Sequence, residues 1–281
     1  MRWLIGFLLA FVLSGCSSKF AYNNLDWWVY WYLDDYIELN NKQEEQFDSY
    51  LQNWLRWHKT SELAKYQNHL EALKSQVINN ELDYDVIYAN LNKGKAHWER
   101  VRDEISPELA VLANELSDDQ VIALFAALEK DNKEEEEERL AVLAKPEAKR
   151  LADRKERIEE SIAERIGKLS NTQKQIIATY AEQFVSTSED WLTYRREIQN
   201  AARRLFVTRT TNINFANELT QLMQNQDRFK SESYIQASGH NTKVTATMLA
   251  EIFTTMSEKQ KATLVENIEE LIEMVANFKG N

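Results

Sequence analysis

The sequence predicts an almost wholly α-helical protein, and three observations support this class. The chain of 281 residues contains only six glycines and two prolines, whereas sheet proteins need turn residues far more often. Strong helix formers such as Leu, Ala, Glu, Lys and Gln dominate. Apolar residues recur every three or four positions along most of the chain. We therefore expect an elongated all-α multi-helix bundle of about 8–10 helices.

The N-terminal segment resembles the leader of a bacterial lipoprotein. Arg2 is followed by an apolar run from Trp3 to Val12 that is too short to span a bilayer as a mature helix. Leu13-Ser14-Gly15-Cys16 then resembles the lipobox of these proteins, Leu-[Ala/Ser]-[Gly/Ala]-Cys. The resemblance implies cleavage before Cys16 and attachment of lipid, palmitate included, to that residue.

These features predict three parts of the chain. Residues 1–15 are a signal peptide, residues 16–23 a lipidated tether, and residues 24–279 a single all-helical domain with a candidate sub-division near 116/117. Ser17 and Ser18 follow the cysteine, where an Asp would favour retention at the inner membrane. The predicted location is therefore the outer membrane, with the protein facing the periplasm.

Composition also limits the classes of partner. The formal net charge is −11, so nucleic acid is not an expected ligand. Cys16 is the sole cysteine, so no disulfide is expected, and acyl chains rather than a basic patch would hold the protein at the membrane. The expected partners are the membrane, through the anchor, and a protein of the envelope. The oligomeric state stays open.

The stretch from Phe20 to His58 organises the start of the domain. It holds five of the eight tryptophans. Asn23 or Asn24 is expected to cap a first helix that runs to about Leu39 and is aromatic on most sides. The candidate binding or interfacial residues are Trp27, Trp28, Trp31, Asp34, Asp35, Trp54, Trp57 and His58.

Three interpretations of the aromatic residues stay open. The rings pack the core of the bundle, or lie at lipid headgroups beside the anchor, or line a groove for a peptide or glycan. We expect core packing, because Trp27 and Trp31 lie off the face of Trp28 and one membrane surface cannot accept all three. Asp34 and Asp35 point about 100° apart on a helix, so we expect solvated or salt-bridged carboxylates there.

A resemblance to a known family lies in the same stretch. The run YNNLDWWVYWYLDDYIELN, followed by QFDSYL and WLRWHKTSELAKY, resembles an uncharacterised family of bacterial lipoproteins. Members carry a lipobox, a Tyr/Trp-rich helix with an Asp pair, and a Trp-His followed by Glu-Leu-Pro; here Ala64 stands where many members have Pro. The resemblance implies an all-helical periplasmic lipoprotein. Because the family's domain is of unknown function, it implies no catalytic residue.

Capping signals divide the helices that follow. Asn40 with Gln43, or Asn41 with Glu44, forms a capping box for the second helix. A break is expected near Thr60-Ser61, where either residue can cap a new helix.

Another helix is expected to begin at Ser106, with Pro107 at its first position, where a missing N–H costs nothing. Further along, Ile177 to Leu205 reads as one long helix, and Asn212 is expected to cap a shorter one. A helix from Tyr234 to Met256 is expected to be interrupted at Gly239.

The segment from Glu129 to Arg157 has the strongest charge pattern of the chain. Its first part contains five consecutive glutamates, and its second is rich in Lys and Arg. It is either a solvated helical stretch or a charged helical hairpin over 129–157 that turns near Leu143 to Pro146, with the acidic arm against the basic arm. Exposed pairs contribute only about 0.2–1 kcal/mol each, so they would set register more than stability.

Three helix starts share the pattern apolar-Ser-x-x-Gln, at Ser117, Ser170 and Ser257. Each predicts a capping box, in which Ser accepts from a backbone N–H of the first turn and Gln reaches back. The pattern also resembles the Leu-Thr-x-x-Gln motif of Spy-type periplasmic chaperones, which hold unfolded clients without ATP. This resemblance gives an alternative function, a chaperone-like binder of unfolded envelope proteins.

No catalytic or metal-binding motif is recognisable in the sequence. The four histidines form no His-Glu-x-x-His pair, and no Gly-x-Ser-x-Gly elbow is present. We therefore expect no cofactor, no metal site and no enzymatic activity. The expected function is a structural or protein-binding module of the outer membrane, with the chaperone-like binder as the alternative and an envelope enzyme as a distant third.

Overall fold

A computed structural model of the protein describes residues 25–279, and within that range every regular element is a helix. The predicted all-α class is therefore confirmed. The α-helices and their bounds are α1 (Leu25–Asp34), α2 (Asn41–Trp57), α3 (Leu63–Ile78), α4 (Tyr84–Asn114), α5 (Asp118–Leu143), α6 (Glu147–Ile166), α7 (Asn171–Ala181), α8 (Ser188–Val207), α9 (Phe215–Gln224), α10 (Glu232–Thr254) and α11 (Glu258–Lys279). A π-helix (His58–Glu62) joins α2 to α3, and a 3₁₀ helix (Gln226–Phe229) follows α9.

The chain forms two compact units. Among the described residues, the first contains those up to Asn79 and from Val265 onward, and the second contains Asn80–Leu264. The prediction of one domain with a sub-division near 116/117 stays a prediction, because compactness alone does not establish independent folding. No helix in the described range is both long enough and apolar enough to cross a bilayer.

The first unit has its core on α2, α3 and the end of α11. Its buried apolar side chains include Phe47, Leu51, Leu63, Val77, Ile268, Ile272 and Val275. At the surface, Lys74 of α3 lies 3.7 Å from Glu269 of α11. Lys279 also donates a hydrogen bond of 3.1 Å to Gln67. These polar contacts align α11 with α3 above a shared apolar layer.

The second unit is built around α4, which packs against α9 and α10. α8 contacts α5, α9 and α10, and α7 lies against α6 and α10. Phe206 of α8 meets Phe125 of α5 and Phe215 of α9 edge-on, with ring centroids 5.5 and 5.1 Å apart. These rings join three helices in one aromatic core.

The predicted capping boxes are confirmed where both halves can be seen. Asn40 with Gln43, Ser117 with Gln120 and Ser170 with Gln173 each form a reciprocal box. At the start of α11, Gln260 N–H donates to the Ser257 hydroxyl at 3.2 Å, and Ser257 N–H donates back to the Gln260 side chain at 3.0 Å. Local sequence alone therefore locates four helix starts.

The helix break predicted at Ser106 is wrong, because α4 continues through Pro107. A proline inside a helix leaves the carbonyl four residues earlier without its donor, here that of Asp103. Gln224 at the end of α9 donates to the Asp103 carbonyl at 2.9 Å. The Ser106 hydroxyl donates to the Arg102 carbonyl at 2.5 Å. The Gln224 side chain therefore replaces the donor that the proline removes.

The single long helix predicted from Ile177 to Leu205 is instead two helices, α7 and α8, separated by residues 182–187. Side chains from distant helices satisfy the backbone of this connection. Arg154 donates to the carbonyls of Ala181 and Phe184, each at 2.9 Å. Asn241 pairs with both the N–H and the carbonyl of Val185, at 3.0 and 2.8 Å.

Four smaller expectations also differ from the structure. The first helix ends at Asp34 rather than near Leu39, and the chain passes Thr60-Ser61 in a π-helix without a break. α10 continues through Gly239. Asn212 lies before the N-cap of α9, which is Asn214.

The acidic arm of the charged segment packs against α8. Glu135 and Glu136 pair with Arg195 and Arg196 at 2.5 and 2.7 Å, and α5 contacts α8 along its length through the aromatic core. α5 and α6 do turn at residues 144–146. The basic arm binds elsewhere, since Lys149 pairs with Asp153 of its own helix at 2.7 Å.

Candidate functional site

Two exposed tryptophans lie on α1. Trp27 is 58% exposed and Trp31 is 53% exposed, while Trp28 between them is half-buried. The Trp28 ring meets the other two edge-on, with centroids 4.9 Å from Trp27 and 6.0 Å from Trp31. We call these three residues the tryptophan cluster.

Tyr30 holds α1 against α2. Its hydroxyl donates a hydrogen bond of 2.8 Å to Asp48, and its ring lies edge-on to Phe47 at 5.4 Å. Burial, together with Asp48, raises the pKa of Tyr30 well above its ordinary value of 10. At 100° per helix residue, Trp27 and Trp31 lie about 60° and 100° around α1 from Tyr30, both on the same side, and both rings are exposed.

The expectation that the aromatic helix packs in the core is therefore wrong for its outer residues. Trp27, Trp31 and Tyr32 are all exposed, the last by 42%. Tyr30 takes a position that contacts α2, and helical spacing alone does not choose among aromatic residues on every side. Asp34 and Asp35 are both exposed at the end of α1.

The remaining predicted residues lie along α2 and the π-helix. Trp54 is buried, and its ring lies edge-on to Phe47 and tilted against Tyr50, with centroids 6.0 and 6.1 Å away. Its indole N–H is buried and finds no acceptor within the described residues. Trp57 is half-buried, and its ring centroid lies 6.3 Å from that of His58.

The π-helix brings His58 and Glu62 onto one buried turn. Elements of this kind are often found at functional sites. Glu62 is fully buried, and its carboxylate accepts a hydrogen bond of 3.0 Å from Lys65. Burial lowers the pKa of His58 while Glu62 acts in the opposite direction. Sequence reasoning named His58 but missed Glu62 and Lys65, although the spacing of four residues between His58 and Glu62 was visible.

Two Ser-x-x-Gln boxes meet in the interior of the second unit. Gln173 is fully buried, and its side-chain amide exchanges two hydrogen bonds of 3.0 Å with that of Gln260. Gln260 also donates to the Lys168 carbonyl at 3.0 Å. The same glutamines cap α7 and α11, so the role of these side chains is to stabilise the fold.

A shallow cleft of about 320 Å³ lies between α8 and α9. We call it the arginine cleft; its lining residues are Ala201, Arg204, Leu205, Asn217, Glu218, Gln221, Leu222 and Arg228. Ala201 and Leu222 are buried and form an apolar floor. Arg204 and Arg228 are exposed, and neither forms an ion pair within residues 25–279.

Two of the charged residues in the arginine cleft have partners of their own. The Glu218 carboxylate accepts a hydrogen bond of 3.0 Å from Asn212, and the Arg228 guanidinium lies over the Phe229 ring at 4.8 Å. Sequence reasoning missed this cleft, because its two arginines come from segments that only the fold brings together.

Metal ligands do not gather in the part of the chain that the structure describes, where no group of three His, Cys, Asp or Glu side chains could hold an ion. His240 instead contacts the Gln183 carbonyl at 2.9 Å. Cys16, the predicted lipid-bearing residue, lies outside the described residues.

Comparison with known proteins gives a family but no activity. No curated protein and no solved structure matches the chain. A family of unknown function, DUF6279, matches residues 35–235, a range that begins at the end of α1 and ends in the first turn of α10. The predicted resemblance to an uncharacterised family is thereby confirmed, while the lipobox and the chaperone-like motif stay predictions. Because the match covers most of its length, the chain belongs to the family of unknown function DUF6279.

Proposed function

We propose that this protein is a non-enzymatic, lipid-anchored module of the outer membrane that binds a protein partner on the periplasmic side. The anchor is proposed from Leu13 to Cys16. The observation that carries the binding role is the arginine cleft, in which two arginines without acidic partners in the described range border an apolar floor.

The shape of the arginine cleft favours a protein segment over a small metabolite. Protein interfaces combine an apolar centre with a polar rim, and arginine is enriched among their strongest contacts. At about 320 Å³ the cleft is at the lower limit of small-molecule pockets, and it is shallow, so it suits one or two side chains of a larger partner.

The charge of the arginine cleft specifies the partner further. The chain as a whole carries a net charge of −11, so a partner with many acidic residues is repelled over most of the surface. Arg204 and Arg228 provide a local exception. The segment that fits has an acidic side chain for the two guanidinium groups beside an apolar side chain for Leu205 and Leu222.

Site-specific photo-crosslinking in cells tests this function. A photoreactive phenylalanine analogue at Gln221, on the exposed rim, is expected to give a discrete crosslinked product. Arg204→Glu with Arg228→Glu should abolish that product. The matched control, Lys133→Glu with Arg157→Glu, changes charge equally at exposed positions outside the cleft and should leave it intact. A product that survives the Arg204/Arg228 reversal contradicts the proposal.

The chaperone-like alternative has less support. It requires the Ser-x-x-Gln residues at a client surface, whereas Gln173 is fully buried and bonded to Gln260. A catalytic role has even less support, because Glu62, the buried carboxylate of the π-helix, is paired with Lys65 of α3. Failure of the purified protein to slow aggregation of an unfolded client would leave the module proposal as it stands; strong suppression at stoichiometric amounts would favour the alternative.

A further inference from the structure

The tryptophan cluster is the most unusual surface of the first compact unit. Trp27 and Trp31 expose 58% and 53% of their surface although each carries a large apolar ring. Large apolar residues that are exposed side by side mark a surface that another molecule or a membrane covers. Tyr30 holds α1 on α2 through Asp48, so the cluster belongs to a fixed helix face.

The position of the cluster along the chain identifies what covers it. Only eight residues separate Cys16 from Leu25, where α1 begins. A segment of that length spans at most about 30 Å even when fully extended. With lipid on Cys16, α1 is therefore confined close to the bilayer surface, and weak contacts there are strengthened by the high effective concentration.

We propose that the tryptophan cluster docks into the headgroup region of the lipid bilayer. This inference rests on the proposed lipid anchor at Cys16. Indole rings prefer this region, because the ring contacts acyl chains while the N–H group stays among polar headgroups and water. We expect this surface to prefer zwitterionic to strongly anionic lipid, because the exposed carboxylates of Asp34 and Asp35 lie at the end of the same short helix and directly after it.

This arrangement gives the anchored protein a defined side toward the membrane. A lipid anchor alone fixes distance and leaves the attached domain free to rotate. Docking of Trp27 and Trp31 adds a second point of attachment, one that fixes which face of α1 and α2 points toward the bilayer.

Depth-dependent fluorescence quenching tests the proposal with the mature chain that begins at Cys16. Cys16 is the sole cysteine, so its thiol can be coupled to a maleimide lipid in phosphatidylcholine vesicles. Acyl chains brominated near the headgroup are expected to quench part of the tryptophan emission. Trp27→Phe with Trp31→Phe should remove most of the quenched component, whereas Trp98→Phe, which replaces a tryptophan 38% exposed on α4, should retain it.

Two outcomes would overturn docking. Either the brominated chains quench wild type and the Trp27/Trp31 variant equally, or acrylamide in the water still reaches the cluster after coupling. A soluble peptide or glycan that shields the cluster when vesicles do not would assign the surface to that ligand. Chemical coupling makes this test independent of lipidation in cells, so a failed anchor and a failed docking surface are distinguishable.

Discussion

Trp54 combines a deeply buried ring with an indole N–H that lacks an acceptor in the described residues. Trp54→Phe gives up no hydrogen bond and removes an unsatisfied donor, a gain of about 1–3 kcal/mol that offsets the smaller ring. We expect it to be nearly neutral. Trp54→Ala leaves a cavity beside Phe47 and should cost about 3–5 kcal/mol. Urea unfolding of both variants measures the difference, and equal losses would show that the N–H does have a partner.

His58 predicts a specific dependence of stability on pH. Burial lowers its pKa from the ordinary value of 6.5, so the unfolded chain takes up this proton at a higher pH than the folded protein does. The free energy of unfolding therefore falls as pH is lowered through 6.5. His58→Gln should reduce this loss between pH 7.5 and about 5.5, whereas His240→Gln, a surface control, should keep it. Identical pH profiles for wild type and His58→Gln would contradict this assignment.

Among the elements, α4 shows how a helix tolerates an internal proline. The carbonyl of Asp103, which Pro107 cannot reach, accepts from Gln224 of α9. Gln224→Leu removes this exposed hydrogen bond and should cost about 0.5–1.5 kcal/mol. In a Pro107→Ala background the restored N–H can bond Asp103, so the same change should cost clearly less. A double-mutant cycle by urea unfolding measures this coupling, and strict additivity would refute it.

The elements that sequence reasoning located are those set by neighbouring residues. Asn40 with Gln43 and Ser117 with Gln120 are capping boxes complete within four residues, so they could be read directly. The continuation of α4 through Pro107 depends on Gln224, more than a hundred residues away. The connection after Ala181 likewise depends on Arg154 and Asn241, although Thr187 before the first-turn acids Glu189 and Asp190 is a local signal for the start of α8.

The candidate site shows the same difference between features set by neighbouring residues and features set by distant contacts. The aromatic content of α1 identified Trp27 and Trp31 as candidates, but which side of that helix faces α2 was decided by the bond from Tyr30 to Asp48. The arginine cleft joins residues of α8 to Arg228 beyond α9. Charge counting along the chain does not distinguish such arginines from those paired elsewhere, such as Arg195 with Glu135.

For the whole molecule, the decisive question is attachment to the membrane. Cys16→Ser removes the only thiol that a lipid can modify. We expect the variant to move from the membrane fraction to the soluble periplasm, because the acyl chains supply the main attachment and the tryptophan cluster adds only a reversible contact. Fractionation with mass spectrometry of the N-terminal peptide measures both points. Wild-type protein without lipid, or a Cys16→Ser variant that stays in the outer membrane, would contradict the proposed lipid anchor.

The amide pair between Gln173 and Gln260 imposes an order on how the protein is completed. The two residues are 87 positions apart, and a chain that leaves the ribosome or crosses a membrane does so from its N-terminus. Gln173, at the start of α7, therefore cannot form its buried hydrogen bonds to Gln260 until the first turn of α11 has emerged. A chain that ends before Gln260 would contain all of α7 and α8 but would lack the side chain that bonds to Gln173. The last helix thus completes the second compact unit.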